Sequence, residues 1–157
     1  MANHLLQVHC ADLPDNNTFM PTDVSHILEN LGIALRIQPL PPAHFCYVTK
    51  SNGMTTILLN NALPDSAKRY YIAHALGHYF YNSDKSVMQY TCHDPRLCCS
   101  SVEADWINAF AACLLVPTDS IRAAVGADID KHITAKQYDV PTTLVDLRTQ
   151  IYKTQHE

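Results

Sequence analysis

Two histidines, His74 and His78, stand four residues apart in a segment whose composition is typical of a helix. Residues at positions i and i+4 share one face of a helix, with Cβ atoms about 6 Å apart. Two imidazoles at that separation can bind one tetrahedral Zn²⁺ ion, provided that another element supplies further ligands. The alternative is that both are ordinary helix residues beside an apolar stripe, which the spacing alone does not exclude.

Further ligands are predicted on a second long helix, where Glu103 and Asp105 offer carboxylates. Glu103 also fits a capping box that begins at Ser100, in which its carboxylate would only accept a hydrogen bond from a backbone N–H. The residues alone favour neither interpretation. Gly77 adds context, because a glycine inside a helix costs about 1 kcal/mol relative to alanine. We interpret Gly77 as a point where another backbone comes close.

The composition predicts one folded, soluble domain. The 157 residues are 47% hydrophobic and 17% charged, which excludes a disordered chain. A formal net charge of -4 gives no electrostatic footprint for nucleic acid. The N-terminal residues do not have the pattern of a signal peptide, and no stretch is as long as a membrane span. We therefore expect a cytoplasmic protein without a membrane partner.

The six cysteines are predicted to be reduced thiols, because the chain is larger than a disulfide-rich secreted miniprotein. Cys92, Cys98 and Cys99 lie close together with His93 in the sequence. A second zinc site there is conceivable, but the spacing matches no structural zinc pattern and adjacent cysteines chelate one ion awkwardly. Thiols in a loop are the favoured interpretation.

The elements that position these residues are predicted from periodicity and turn residues. A first helix can be capped by Thr22 or Asp23 and ends at Gly32. A strand follows in IALRIQPL, and the hairpin FCYVTKSNGMTTILLNN turns at Asn52–Gly53. The histidine helix begins near Asp65. The order of elements predicts an α+β domain with a small antiparallel sheet.

The second half of the chain is predicted to be helical after an irregular stretch at residues 83–99. The carboxylate helix is closed by Pro117, and Thr118 caps a short helix after it. The tail then has a helix, a turn and a helix. A DNA-binding function would need basic side chains on the last helix, but Arg148 and Lys153 are too few to support it.

Three stretches resemble the ImmA/IrrE family of bacterial and phage zinc metallo-endopeptidases. They are ILLN before the histidine helix, IAHALGHYF within it, and EADWINAFAACLLVP after it, together covering about residues 55–117. The segment TAKQYDVPTTLVDLR is similar to the family's C-terminal pattern. The resemblance implies a single zincin-like domain over residues 1–157, with a metal-binding helix and a helix-turn-helix-like tail at about 118–153.

The same resemblance implies a ligand set for Zn²⁺ of His74, His78 and Glu103, with Asp105 as the reserve for the third position. The family's HExxH motif has a glutamate after the first histidine, which acts as general base. This chain has Ala75 there. Loss of a general base costs about 10²–10⁴ in rate, so we expect zinc binding with little or no activity.

Ala75 has two explanations, an inactivating substitution made in an otherwise intact enzyme, which we favour, or a natural pseudo-peptidase that binds without cutting. The family cleaves helix-turn-helix repressors, so the resemblance implies such a repressor as substrate or partner. An extended substrate peptide is expected to add to the strand TTILLNN, residues 55–61. A binding module that sequesters a repressor or another protein is the competing function.

Overall fold

The computed structural model describes residues 21–93 and 101–156 of the chain, with the His93 side chain left out. The described part contains six helices and four strands. The helices are α1 (Val24–Leu31), α2 (Asp65–Tyr81), α3 (Val102–Leu115), α4 (Thr118–Gly126), α5 (Lys131–Tyr138) and α6 (Thr142–His156). The strands are β1 (Ala34–Gln38), β2 (His44–Ser51), β3 (Met54–Asn60) and β4 (Met88–His93). The α+β prediction is confirmed.

The first helix and the hairpin form as their turn residues predict. The Asp23 side chain caps α1 by accepting a 3.1 Å hydrogen bond from the His26 backbone N–H. Gly32 ends that helix with φ at 67°. The hairpin between β2 and β3 turns at Asn52 and Gly53, whose φ angles are 50° and 75°. Both turns use the left-handed conformation that Asn and Gly tolerate best.

The sheet is mixed, which corrects the predicted antiparallel sheet. Its strand order is β1-β3-β2-β4. Strand β1 pairs in parallel with β3, whereas β2 is antiparallel to both β3 and β4. The hairpin therefore inserts β3 beside β1. Strand β4 also falls within the stretch that was predicted to be irregular, because β4 is defined by pairing with β2 rather than by a local pattern.

The topology is also incompatible with the expected peptide site along residues 55–61. Strand β3 occupies most of that segment and has β1 on one side and β2 on the other. Its backbone groups are thus committed on both sides, and no further strand can add to it. Among the described residues, the strands at the edges of the sheet are β1 and β4.

Helix α2, the histidine helix, packs against strands β2 and β3, and α3 packs against α2. Gly77 lies at their crossing, where an added Cβ would come within 2.9 Å of Ile107 Cγ2 and 3.4 Å of Ile107 Cα. The close approach predicted from this glycine is confirmed. Leu76, Ile107 and the sheet residue Ile57 are fully buried around the crossing.

Among the C-terminal helices, α6 packs against α3, and both α4 and α5 pack against α6. Pro117 is at the N-cap position of α4 and the helix has no side-chain cap, so the prediction that Thr118 caps it is wrong. Thr118 Oγ1 instead accepts a 2.8 Å hydrogen bond from Arg148 Nη2, and Arg148 Nε donates to the Val116 carbonyl at 2.9 Å. None of the described helices could span a membrane alone, although α3 and α4 together, bent by 82°, have the length and composition for it.

Candidate metal centre

Helix α2 and strand β4 bring two histidines and a cysteine to one point. Ligand atoms of His74, His78 and Cys92 all lie within 4.8 Å of one another. The i and i+4 spacing on α2 sets the two imidazole centroids 5.1 Å apart. Cys92 Sγ approaches from β4 and lies 3.3 Å from His74 Nδ1. Two nitrogens and a sulfur in this arrangement form a donor set that suits Zn²⁺.

Cys92 was not predicted as a donor to the histidine pair. The sequence grouped it with Cys98 and Cys99, which lie outside the described residues. In the structure, Cys92 on β4 lies opposite Cys46 on β2, and both are free cysteines. That pairing positions the thiol under α2, and no local pattern reveals it, because the strands meet only in the folded chain.

The pKa values of these two cross-strand cysteines are shifted in opposite directions. Both side chains are buried. The hydrogen bond to Cys92, together with burial, raises the pKa of Cys46 far above its ordinary value. The hydrogen bond from Cys46 is the main cause that lowers the pKa of Cys92 well below its ordinary value, helped by His74 and opposed by burial. A lowered pKa favours the thiolate, which is the form in which cysteine binds metals.

Glu103 is on α3 and lies beside the histidine pair of α2. Ser101 is the N-cap residue of this helix and accepts a 3.1 Å hydrogen bond from the Ala104 N–H. This places Glu103 one position before the glutamate of a capping box, so the capping alternative is not what the structure has. Glu103 Oε1 lies 3.6 Å from His78 Nδ1 and accepts a 3.3 Å hydrogen bond from Asn82 Nδ2.

Asp105, the reserve candidate, is exposed in the first turn of α3. The compact donor group that the described residues form includes neither Asp105 nor Glu103. Of the two carboxylates, Glu103 is the one with a close approach to His78. The role of Glu103 as the third ligand stays a prediction. Its carboxylate lies at one side of the group of His74, His78 and Cys92.

The His78 ring is held in place by a polar network from β4 and the end of α2. Tyr90 stacks on it at 4.4 Å between centroids with a 24° angle between the planes. The Tyr90 hydroxyl donates to Asn82 Oδ1 at 3.0 Å and accepts from Lys85 Nζ at 3.0 Å. Only 12% of the His78 side chain is exposed. A ring fixed in this way is ready for a ligand without further ordering.

One atom of this network lacks a hydrogen-bond partner. His78 Nδ1 is buried and bonds to nothing within the described parts of the chain. Leaving a buried polar nitrogen unsatisfied costs about 1–3 kcal/mol. A metal ion bound at Nδ1, or a movement that brings the Glu103 carboxylate closer than its 3.6 Å, would remove that cost. The residues present therefore fit a metal ion.

A search against family models finds a match that covers most of the chain. Residues 28–150 match the Peptidase M78 model, described as an IrrE N-terminal-like domain. The chain belongs to this IrrE-like peptidase family. A search of curated proteins finds no match. Family membership confirms the resemblance to ImmA/IrrE peptidases and agrees with the zincin-like α+β fold, and it supports protease activity in general terms.

Ala75 interrupts the peptidase motif of this IrrE-like chain. It follows the first histidine and is fully buried. The acidic residue of α2 is Asp65 at its first position, too far along the helix to replace a carboxylate at position 75. Of the described carboxylates, Glu103 is the one that approaches the histidine pair. The site therefore keeps metal-binding donors without a carboxylate at the position of the family's general base.

Two pockets flank the centre along α2. One has a volume of about 350 Å³ and is mainly apolar, with Phe45, Tyr70, Tyr71 and Leu144 among its lining residues. Tyr70 and Tyr71 connect this pocket to His74, at ring centroid distances of 5.8 and 6.3 Å. The other measures about 510 Å³ and includes Asn82, Glu103 and Trp106. The donor group lies between an apolar pocket and one of mixed polarity.

Proposed function

We propose that this IrrE-like protein is a zinc-binding endopeptidase of the ImmA/IrrE type in a form that binds a helix-turn-helix repressor without hydrolysing it. The observation that carries the proposal is the position of Ala75, buried directly after the first of two converging histidines. His74, His78 and Glu103 are the proposed ligands. On this proposal, the chain keeps the residues that bind the metal and the peptide but lacks the carboxylate that would transfer the proton.

The role of each residue follows from its surroundings. Bound zinc supplies the Lewis-acid chemistry that activates water and polarises a peptide carbonyl. His74 and His78 hold the ion, and Tyr90 keeps the second ring in position by stacking. A glutamate at position 75 would accept the proton from water and return it to the leaving amine. Ala75 can do neither, and such a loss costs about 10²–10⁴ in rate.

The repressor segment is proposed to bind along β4 rather than β3. Strand β4 is at an edge of the sheet in the described structure and carries Cys92 and Tyr90 to the histidine pair. An extended peptide that adds to an edge strand gains main-chain hydrogen bonds and places alternate side chains in neighbouring pockets. The apolar pocket at Tyr70 and Tyr71 suits a hydrophobic side chain of that peptide.

The test uses purified helix-turn-helix repressors encoded in the same genome and the zinc-loaded protein. We expect one repressor to bind and to remain uncut, with weaker binding after zinc is removed by a chelator. Ala67→Phe, which fills the apolar pocket, should weaken binding by about tenfold, since a well-placed apolar contact is worth 1–3 kcal/mol.

Ala123→Phe is the matched control, because Ala123 is an exposed alanine of α4 away from the pocket. It should leave binding unchanged. Equal weakening by both substitutions would contradict the proposed peptide site. Binding of DNA with strong salt dependence, and of no repressor, would contradict the proposed function and favour a DNA-binding regulator.

A further inference from the structure

Cys92 is a second departure from a hydrolytic centre, independent of Ala75. We infer that the Cys92 side chain is a ligand of the metal ion, completing a four-donor set with His74, His78 and Glu103. This inference rests on the proposed function, because it concerns the same ion. It assigns the ion a stabilising role, in which it fastens β4 to α2 and α3.

The distances fit direct coordination. Zinc binds cysteine sulfur at about 2.3 Å and histidine nitrogen at about 2.0–2.1 Å, so a tetrahedral site separates such atoms by about 3.5 Å. Cys92 Sγ lies 3.3 Å from His74 Nδ1, and its distances to both histidines are below 4.8 Å. Glu103 Oε1 is 3.6 Å from His78 Nδ1 but lies outside the group of atoms within 4.8 Å of one another, so its carboxylate would have to move toward the other donors to complete the set.

The sheet holds Cys92 in this position. Cys46 is its cross-strand partner and is fully buried on β2. Cys46 Sγ donates to the Tyr47 carbonyl at 3.7 Å, and the pairing of β2 with β4 fixes the backbone of Cys92 beside it. Cys46 is thus a positioning residue, whereas Cys92 would touch the ion itself. A cysteine that only filled core space would not need to point at two imidazoles.

The number of protein donors has a consequence for function. Structural zinc sites have four protein ligands, whereas catalytic sites have three and keep one position open. A Cys92 ligand would occupy the open position, and Ala75 removes the proton acceptor. Both changes remove hydrolysis and neither removes metal binding. The ion would then stabilise the edge strand at which a repressor segment is proposed to bind.

X-ray absorption spectroscopy of the unmodified zinc-loaded chain tests the inference without any substitution. We expect one sulfur neighbour at about 2.3 Å together with nitrogen and oxygen neighbours at about 2.0–2.1 Å. Loading with Co²⁺ should give a sulfur-to-cobalt charge-transfer band in the near ultraviolet. Bound metal with only nitrogen and oxygen neighbours would overturn the inference and leave the proposed function standing.

Substitutions then identify the sulfur. Cys92→Ser should abolish the cobalt band and weaken metal binding by about 100-fold or more, since even outer-sphere partners contribute 10–100-fold. Cys113→Ser, at a half-buried cysteine of α3, is the control and should retain the band. A band that survives Cys92→Ser but is lost on replacing Cys98 and Cys99 would overturn the assignment. Failure of the unmodified chain to bind zinc or cobalt would instead refute the proposed function.

Discussion

The metal centre and the C-terminal helices both contain buried polar side chains, but these side chains bond in different ways. At the metal centre, donors from α2 and β4 converge on one point, where their ligand atoms lie within 4.8 Å of one another. In the C-terminal region, the buried Arg148 directs two nitrogens outward to the Val116 carbonyl and the Thr118 hydroxyl. Convergent donors indicate a ligand site, whereas divergent donors indicate a structural support.

This difference bears on DNA binding, the function that the sequence analysis disfavoured. Arg148 is one of the two basic candidates for DNA contacts on the last helix, and it is 2% exposed. Its bonds join the end of α3 to the start of α4, so it is not available to a phosphate. The C-terminal helices therefore offer little support for DNA binding, and the case for function concentrates on the metal centre.

The largest effect is expected from His78→Ala, which should reduce bound zinc from about one ion per chain to almost none. The substitution removes one of the convergent donors and the ring that stacks on Tyr90. Metal analysis of the purified protein measures the loss. His132→Ala replaces an exposed histidine of α5 and should leave the zinc content unchanged. Equal zinc content in both variants would contradict the role of His78 as a zinc ligand.

Arg148→Ala should affect stability and not metal content. It leaves the buried Val116 carbonyl without its partner and removes the bond to Thr118. Losing hydrogen bonds from a charged group and leaving a buried carbonyl unsatisfied costs about 1.5–3 kcal/mol in the free energy of unfolding. Denaturant unfolding measures it, with the exposed Lys153→Ala as control. A fully stable Arg148→Ala protein that has lost affinity for DNA would reverse the interpretation of this region.

Gly77→Ala should have the smallest of these effects. Its Cβ would lie 2.9 Å from Ile107 Cγ2, and overpacking of this kind costs about 1–3 kcal/mol. Better helix propensity offsets about 1 kcal/mol of that. We expect a net loss of about 1 kcal/mol in unfolding free energy. The double variant with Ile107→Ala should show favourable coupling, because the clashing methyl group is gone, and additive losses would argue against the clash.

The parts of the fold with local signals were predictable from sequence. Apolar periodicity and Asp65 give the start of α2, and Asn52 and Gly53 give the hairpin turn. The i and i+4 spacing brings His74 and His78 together in any straight helix, so this half of the site needs no tertiary information.

The remaining parts depend on pairings between distant segments. Strand β4 is defined by its register with β2, and Cys92 reaches the histidines only through that register. The central position of β3 follows from its parallel pairing with β1, which alternation of side chains does not encode. For this reason the sequence alone placed the expected peptide on a strand that is paired on both sides, and it did not group Cys92 with the histidines.

The central claim is that hydrolysis requires the carboxylate missing at position 75, whether or not Cys92 also binds the ion. It is tested most directly by repressor cleavage in a Cys92→Ser background at saturating zinc, where the result does not depend on whether the thiol is a ligand. Adding Ala75→Glu should raise the chelator-sensitive cleavage rate by at least about 10²-fold. Ala75→Gln should not, because an amide of the same size cannot accept the proton. A folded Ala75→Glu variant that binds zinc and the repressor yet cuts nothing would contradict the account.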